Sequence, residues 1–258
     1  MKKIIISSLI TIAIIFNTSY INATEYSVYL GGLIMPVKVS GFVTSYAADA
    51  SEWNSLVVPD NKVVLPLSKG NRNGIAGGAI LGWKTTTWKI NPVVEIQILP
   101  GSSLIGNVLI GPEIKLKSTE KFNIALTPKI GYGFYTHDLG KLQTTGKITF
   151  VKLEDGTYLY PDDTSESQSS GFVSQTLIST SYELIKDFIS INLEVGFSFS
   201  KFQTPEVKIK GDRFLSNESE IGTLNLDQLK DENGNALSIT PEISTTGLVS
   251  ALSITVKI

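Results

Sequence analysis

One histidine and no cysteine limit the chemistry open to this chain of 258 residues. Without thiols, the chain has no cysteine nucleophile, no zinc–thiolate site and no disulfide scaffold. His137 is followed by Asp138, and a histidine beside a carboxylate could act in general acid–base catalysis. Neighbouring side chains on a strand, however, point to opposite faces. We therefore expect His137 to be a solvated loop residue and expect the chain not to be an enzyme.

A second candidate for chemistry is the stretch from Asp231 to Glu242, which matches part of a calcium-binding loop. Oxygen-bearing side chains occupy its first, third, fifth and twelfth positions, but the glycine required at the sixth is Ala236. The Asn233-Gly234 pair instead favours a hairpin turn. We therefore expect neither a bound metal nor a cofactor.

The charge balance bears on partners and on fold class. Lysine and arginine number 22 against 24 acidic residues, a formal net charge of −2, so we expect no nucleic-acid partner, which would need a basic excess. Charged residues make up 18% and hydrophobic residues 42%. After the N-terminus no apolar run approaches the ~20 residues of a membrane helix. The hydrophobic residues must therefore be spread by alternation, which is typical of strands.

The N-terminal residues 1–23 predict a secretory signal peptide. Lys2 and Lys3 give a positive start, residues 4–16 are largely apolar, and residues 17–23 are small and polar. This three-part layout is too short to span a membrane as a helix. The remaining residues, 24–258, are predicted to form one domain.

Apolar and polar residues alternate with period two along much of that domain, which predicts strands with one face in an apolar medium. The clearest segments and the weaker ones together give eight candidate strands: 122–135, 189–200, 88–98, 107–116, 252–258, 26–34, 75–83 and 172–184.

The lengths of the strands and their connections favour a membrane barrel over a soluble sandwich. Strands of about 10–14 residues suit tilted membrane strands, which need ~9–11, better than soluble ones, which average about 5–6. Tight turns near 85–87, 118–121 and 185–187 alternate with long segments, 35–73, 137–170 and 201–246. This predicts an all-β fold: an eight-stranded antiparallel transmembrane β-barrel with tight periplasmic turns and long extracellular loops.

Three further expectations concern the strands and loops of this barrel. The ladder should not run through 201–246, and the serine-rich segment Asp162–Ser170 should be a mobile tip. Pro92 and Pro112 would cost ladder hydrogen bonds unless they lie at bulges.

The polar parity of the strands predicts a charge network in the lumen. Its members are four lysines and four glutamates: Lys89, Glu95, Glu113, Lys115, Lys129, Glu183, Glu194 and Lys257. They could line a gated ion path or form neutralising pairs. Since eight strands leave an interior just wide enough for side chains, the balance of four against four favours a filled plug.

Aromatic residues flank the first and third predicted tight turns and follow the second, where the girdle of a membrane barrel would lie. They are Trp83, Trp88, Phe122, Tyr182 and Phe188.

The chain resembles small bacterial outer-membrane barrels, including the OmpA transmembrane domain, OmpX and surface antigens. The resemblance covers residues 24–258 and includes the strand-like stretches 74–83, GIAGGAILGW, and 128–134, PKIGYGF. It implies a location in the bacterial outer membrane, with outer-membrane lipid and the barrel assembly machinery as partners. The chain departs from the group at Ile258, since such barrels often end in Phe or Trp. It also lacks the His-x-Ser of the lipid A deacylases of this kind, because His137 is followed by Asp138 and Leu139.

Two functions remain open at this stage. The first is a structural or surface-interaction protein that displays its long loops to an extracellular or host ligand, like a surface antigen. The alternative is a porin-like transport channel for small solutes or apolar molecules. A lumen packed with ion pairs favours the first, and a cleft lined by Phe and Leu favours the second.

Overall fold

The structure, a computed structural model, describes residues 25–41, 71–101, 103–142, 163–211 and 241–258 in full, together with the backbone of seven short strands between them. The predicted signal peptide lies outside the described residues, and so does most of the calcium-like stretch Asp231–Glu242.

The described chain is built from β-strands. In order they are β1 (Tyr26–Ser40), β2 (Ser45–Ala47), β3 (Val63–Leu65), β4 (Arg72–Thr85), β5 (Ile90–Leu99), β6 (Ser103–Ser118), β7 (Phe122–Lys141), β8 (Gln143–Thr144), β9 (Val151–Lys152), β10 (Tyr158–Leu159), β11 (Thr164–Ile185), β12 (Ile189–Phe202), β13 (Glu206–Gly211), β14 (Ser219–Leu224), β15 (Leu229–Lys230), β16 (Glu242–Ser244) and β17 (Gly247–Lys257).

Eight of these strands close into a ring. The pairing order is β12-β17-β1-β4-β5-β6-β7-β11, and β11 pairs back with β12. Each of these pairs is antiparallel. The predicted eight-stranded antiparallel barrel is therefore confirmed. Among the described residues, no helix is long and apolar enough to cross a membrane.

The sequence alternation separates the two faces of the barrel wall. In β12, Leu193, Val195 and Phe197 are 46–51% exposed, whereas Asn192 and Glu194, on the other parity, are buried. Large apolar side chains are exposed in the same alternating way on each of the eight barrel strands. The outside of the ring therefore carries an apolar belt, and the polar parity faces inward, as the pattern predicted.

Tight turns and the chain end meet at one end of the barrel, called the turn end here. Residues 86–89, 119–121 and 186–188 connect their strand pairs. The amide of Ile258 donates to the carbonyl of Tyr26 over 2.9 Å, and that of Thr86 to Glu25 over 3.0 Å. The opposite end, where the long segments emerge, is called the loop end.

The strands extend further at the loop end than the sequence indicated. β13 continues the line of β12 beside β11, pairing Val207 with Ser167, and β16 pairs with the last residues of β1. The expectation that the ladder avoids 201–246 was therefore wrong, because both ends of that segment lie in the sheet.

The predicted mobile tip at Asp162–Ser170 was also wrong from Thr164 onward. Ser165 and Ser167 are fully buried in β11, and Glu166 pairs with Lys210 of β13. A serine-rich stretch has the composition of a loop, but here its small side chains occupy inward positions between two strands.

Short strands from the three long segments pair with one another. They form a four-stranded sheet in the order β15-β2-β3-β8, with β2 and β3 from the first segment, β8 from the second and β15 from the third. The long segments are thus connected by backbone pairing at the loop end.

The two strand prolines are registered partners. Pro92 of β5 lies opposite Pro112 of β6, whereas the irregularity in β6 falls later, between Lys115 and Lys117. Neither proline lies at that irregularity, but the β6–β7 pairing is interrupted between Ile110 and Ile114, around Pro112, which has no N–H to donate.

Candidate functional site

The centre of the lumen holds a buried ion cluster. The ammonium of Lys129 on β7 lies 2.7 Å from a carboxylate oxygen of Glu95 on β5 and 3.2 Å from one of Glu194 on β12. The side chains of Lys129 and Glu95 are 0% and 1% exposed. Since the three strands are not neighbours in the ring, the cluster spans the lumen.

Hydrogen bonds extend this cluster across the lumen. Glu95 accepts from the hydroxyl of Tyr29 over 2.5 Å and from the amide nitrogen of Gln97 over 2.7 Å. Gln97 in turn exchanges two hydrogen bonds with Gln175 of β11, at 2.9 and 3.0 Å, and accepts from Asn107 of β6 over 2.9 Å. We call these side chains the polar layer: Tyr29, Glu95, Gln97, Asn107, Lys129, Gln175 and Glu194.

A glycine allows Tyr29 to reach the polar layer. Gly82 of β4 lies opposite Tyr29 in the ladder, and a Cβ built on Gly82 would lie 2.0 Å from the tyrosine ring. The ring therefore lies over the bare backbone of β4 and directs its hydroxyl at Glu95. An inward side chain at position 82 would displace it.

The polar layer is electrostatically costly to assemble and more costly to disrupt. It contains two carboxylates and one ammonium group, all buried. Burial of each charge is offset by its partner and by the neutral donors on Glu95, but removal of one partner leaves an uncompensated charge in a medium of low dielectric constant. The arrangement favours a fixed plug over a mobile charge.

Four other residues of the predicted network lie at the turn end. Glu113 accepts from Lys84 over 2.5 Å. Lys257 lies 3.2 Å from Glu25 and 3.5 Å from Asp187.

The remaining two of these four bond to backbone groups. The ammonium of Lys115 donates to the carbonyl of Thr86 over 2.6 Å, and Glu183 accepts from the backbone amide of Asp187 over 2.6 Å.

Lys89 is not brought together with the others, and Lys84 takes its place. Lys89 is exposed in the turn at 86–89, whereas Lys84 is on the inward parity of β4 and pairs with Glu113. The sequence pattern did not predict Lys84 as a lumen charge, because the alternation of β4 is weak. The sequence does carry one signal for Lys84: it has the same parity as Gly82 and Ile80 and therefore lies on the same inward face of β4.

The loop-end half of the interior contains many apolar side chains beside buried polar groups such as Ser103 and His137, and the sequence did not predict them. These apolar side chains are 0–5% exposed and belong to a buried hydrophobic cluster that continues along the barrel. We call its loop-end members the loop-end core: Met35, Val37, Val39, Leu99, Ile105, Leu139, Leu142, Val207, Ile209 and Ile243. Several lie on the inward parity of barrel strands, and Val207 and Ile209 come from β13. The inward parity thus carries apolar as well as polar side chains where loop-derived strands close the barrel.

The expectation of a solvated His137 was wrong. His137 is 5% exposed on the inward face of β7, and its Nδ1 lies 2.9 Å from the hydroxyl of Ser103, which is 0% exposed on β6. Asp138 points outward, as its position on a strand requires, and accepts from the amide of Gly140 over 2.7 Å. The serine partner comes from the neighbouring strand, so a search for local His-x-Ser spacing missed it.

Burial decides what this Ser–His pair can do. A serine nucleophile must reach a substrate carbonyl, and a fully buried hydroxyl cannot do so in this conformation. Within the described residues, no group of three or more His, Cys, Asp or Glu side chains is arranged to hold a metal ion.

The five predicted girdle residues lie around the turn end. Trp88, Phe122, Tyr182 and Phe188 are 38–52% exposed, and Trp83 stacks on Tyr26 with ring centroids 5.4 Å apart. The four exposed rings adjoin the apolar belt, and their role as a membrane girdle stays a prediction.

No family model matches this chain, and no curated protein matches its sequence. Among solved structures the chain is similar to a major outer membrane protein from Thermus thermophilus, with TM-score 0.41, 10% identity, and coverage of 92% of this chain and 100% of that one. It is also similar to the outer membrane protease OmpT from Escherichia coli, with TM-score 0.34, 8% identity, and coverage of 94% and 99%. Because both scores are low, the barrel rests on the strand pairing of this chain itself.

Proposed function

We propose that this chain is a bacterial outer-membrane β-barrel that displays its long loops outside the cell and whose lumen is sealed. The observation that carries the proposal is a closed eight-stranded ring with an apolar belt outside and a filled interior.

The apolar belt supports a membrane location. Exposed side chains such as Leu30, Ile130, Ile178 and Leu252 are 56–63% exposed, and in water a continuous apolar surface of this kind would drive aggregation. A closed ring leaves no open edge among its eight strands, which is the condition for β-structure in lipid.

The filled lumen supports display over transport. An ion moving along the axis would have to pass the polar layer, where Lys129 is bound by two carboxylates, and then the loop-end core, whose apolar side chains offer it no hydrogen-bonding partner. The two obstacles lie in series.

The pairing of the long segments supports display of a joint surface. β2, β3, β8 and β15 bring three segments together at the loop end, and binding residues are often on loops positioned by a rigid scaffold. An extracellular or host ligand would then contact several segments at once.

Cell fractionation tests the proposed location. We expect the protein in the outer-membrane fraction, with a gel mobility that changes on heating as the barrel unfolds. Recovery as a periplasmic protein whose mobility is unaffected by heating would contradict the proposal.

Planar-bilayer recording of the purified barrel tests the sealed lumen. We expect no reproducible single-channel steps, because the polar layer and the loop-end core block the axis. Stable channels whose conductance changes in the Glu95→Gln variant would show that the lumen conducts and would favour the transport alternative.

A further inference from the structure

The turn end of the lumen contains a cavity that neither the display of loops nor the sealed lumen explains. Its volume is about 240 Å³, and it is lined by side chains of β4, β6, β7, β11, β12 and β17. We call it the vestibule and define it by its charged residues Lys84, Glu113, Lys115, Glu183, Asp187 and Lys257. Glu120, in the turn between β6 and β7, also lines it.

Basic and acidic groups of the vestibule come from different arcs of the ring. The lysines are on β17, β4 and β6, which lie on the continuous arc β17-β1-β4-β5-β6. Glu183 is on β11, Asp187 follows β11 in the turn, and Glu120 precedes β7. Only Glu113 is an acidic group on the basic arc, and Lys84 holds it over 2.5 Å.

Among the described residues, internal ion pairs use four of these charged side chains and leave Lys115 as the unpaired cation, with Glu183 and the turn residue Glu120 as unpaired acids. Lys84 is bound to Glu113, and Lys257 to Glu25 and Asp187. Within the described residues, neither Lys115 nor Glu183 has an oppositely charged side chain within ion-pair distance. Each bonds instead to a backbone group, the carbonyl of Thr86 and the amide of Asp187.

Both groups retain capacity for a ligand. An ammonium has three donors and a carboxylate has two oxygens, so one backbone bond leaves further positions on each. A simple anion would be repelled by Glu120, Glu183 and Asp187, and a simple cation by the three lysines. A molecule that carries both charges avoids both penalties.

We propose that the vestibule binds a short peptide with free termini, its carboxylate at Lys115 and its ammonium at Glu183. The uncharged polar lining, from Asn123, Ser181, Ser190 and Thr255, suits the amide groups of such a ligand. A water needs roughly 10–15 Å³ of such space, so 240 Å³ accommodates a dipeptide. Entry is from the turn end, since the polar layer closes the other side.

Calorimetric titration of the refolded barrel with dialanine tests the proposal, with N-acetyl-dialanine amide as the matched probe that lacks both charges. We expect saturable binding of dialanine and at least roughly tenfold weaker binding of the blocked probe, the factor that ~1.4 kcal/mol represents. Absence of saturable binding in the millimolar range, or equal binding of the two probes, would overturn the proposal.

Variants assign each terminus to its residue. Lys115→Gln should weaken binding of dialanine at least roughly tenfold and remove its advantage over dialanine amide, which lacks the carboxylate. Glu183→Gln should likewise remove the advantage of dialanine over N-acetyl-dialanine, which lacks the ammonium. Lys89→Gln, in the neighbouring turn but outside the vestibule, should leave dialanine binding unchanged. Heat-modifiable mobility establishes that each variant is folded, and either folded variant suffices for the test. Unchanged binding of dialanine to a folded variant would overturn the assignment, without bearing on display or on the sealed lumen.

Discussion

The polar layer and the loop-end core fill the same lumen by opposite means. In the polar layer, Lys129 is held by directional bonds to Glu95 and Glu194. In the loop-end core, side chains such as Leu99 and Ile105 are 0% exposed and interact by packing alone. Both halves are enclosed by the same eight strands, and both contain side chains from the inward parity of those strands. The comparison shows that the parity of a strand determines which side chains face the lumen but not how that lumen is filled.

The two halves should therefore fail differently. When one member of a buried ion cluster is removed, the remaining charges are left unpaired, and no water is present to solvate them. An apolar cluster loses contacts in proportion to the atoms removed and relaxes partly around the gap. Substitutions in the two halves separate these responses.

Removal of the central ammonium should have the largest effect. Lys129→Met keeps most of the side-chain volume but leaves Glu95 and Glu194 buried without a cation. We expect a loss of about 3–5 kcal/mol in the free energy of unfolding, the range for a broken buried pair. Urea titration of the barrel refolded into lipid vesicles measures it.

Two further substitutions, made together, control for the loss of the packing contacts of the lysine side chain. In the background of Lys129→Met, Glu95→Gln and Glu194→Gln remove both stranded charges, and the triple variant should recover part of the lost stability. If Lys129→Met lowered the free energy of unfolding by less than about 1 kcal/mol, the typical value of an exposed pair, water would be screening the charges of the polar layer.

Truncation in the loop-end core should come next. Leu99→Ala removes buried methyl groups from β5 without creating a charge, and we expect a loss of about 3 kcal/mol, within the range for a buried leucine. Planar-bilayer recordings should still show no single-channel steps, because the polar layer still closes the barrel axis. Reproducible channels in Leu99→Ala but not in the wild type would show that the loop-end core alone seals the lumen.

Strand parity was the part of this structure that the sequence could predict. Alternation from Phe122 to Tyr135 specified the inward position of Lys129, because side chains in a strand change face at every residue. The same rule assigns Glu95 and Glu194 inward. Which inward residues meet across the lumen depends on barrel closure and strand stagger, and neither is encoded in a single strand.

The features that the sequence did not predict are contacts between strands. Ser103 reaches His137 from a neighbouring strand, and Lys84 reaches Glu113 from two strands away. β13 continues the line of β12 after a break at 203–205, and its buried Val207 and Ile209 extend the core into a segment that looked like a loop. Such contacts join residues distant in sequence, so local periodicity carries no signal of them.

The smallest effect should come from an ion pair that has a shorter N–O distance than the Lys129–Glu95 pair but is exposed to water. Lys38 lies 2.5 Å from Glu242, closer than the 2.7 Å between Lys129 and Glu95, yet its side chain is 53% exposed and that of Glu242 is 59% exposed. Solvent screens such a pair, and both side chains are well hydrated without it, so Lys38→Met should cost less than about 1 kcal/mol. The same urea titration measures it beside Lys129→Met, and added salt should reduce the Lys38 effect more than the Lys129 effect, because mobile ions reach only the exposed pair. Equal losses in the two variants would mean that burial does not distinguish these lysines and that the polar layer is open to water.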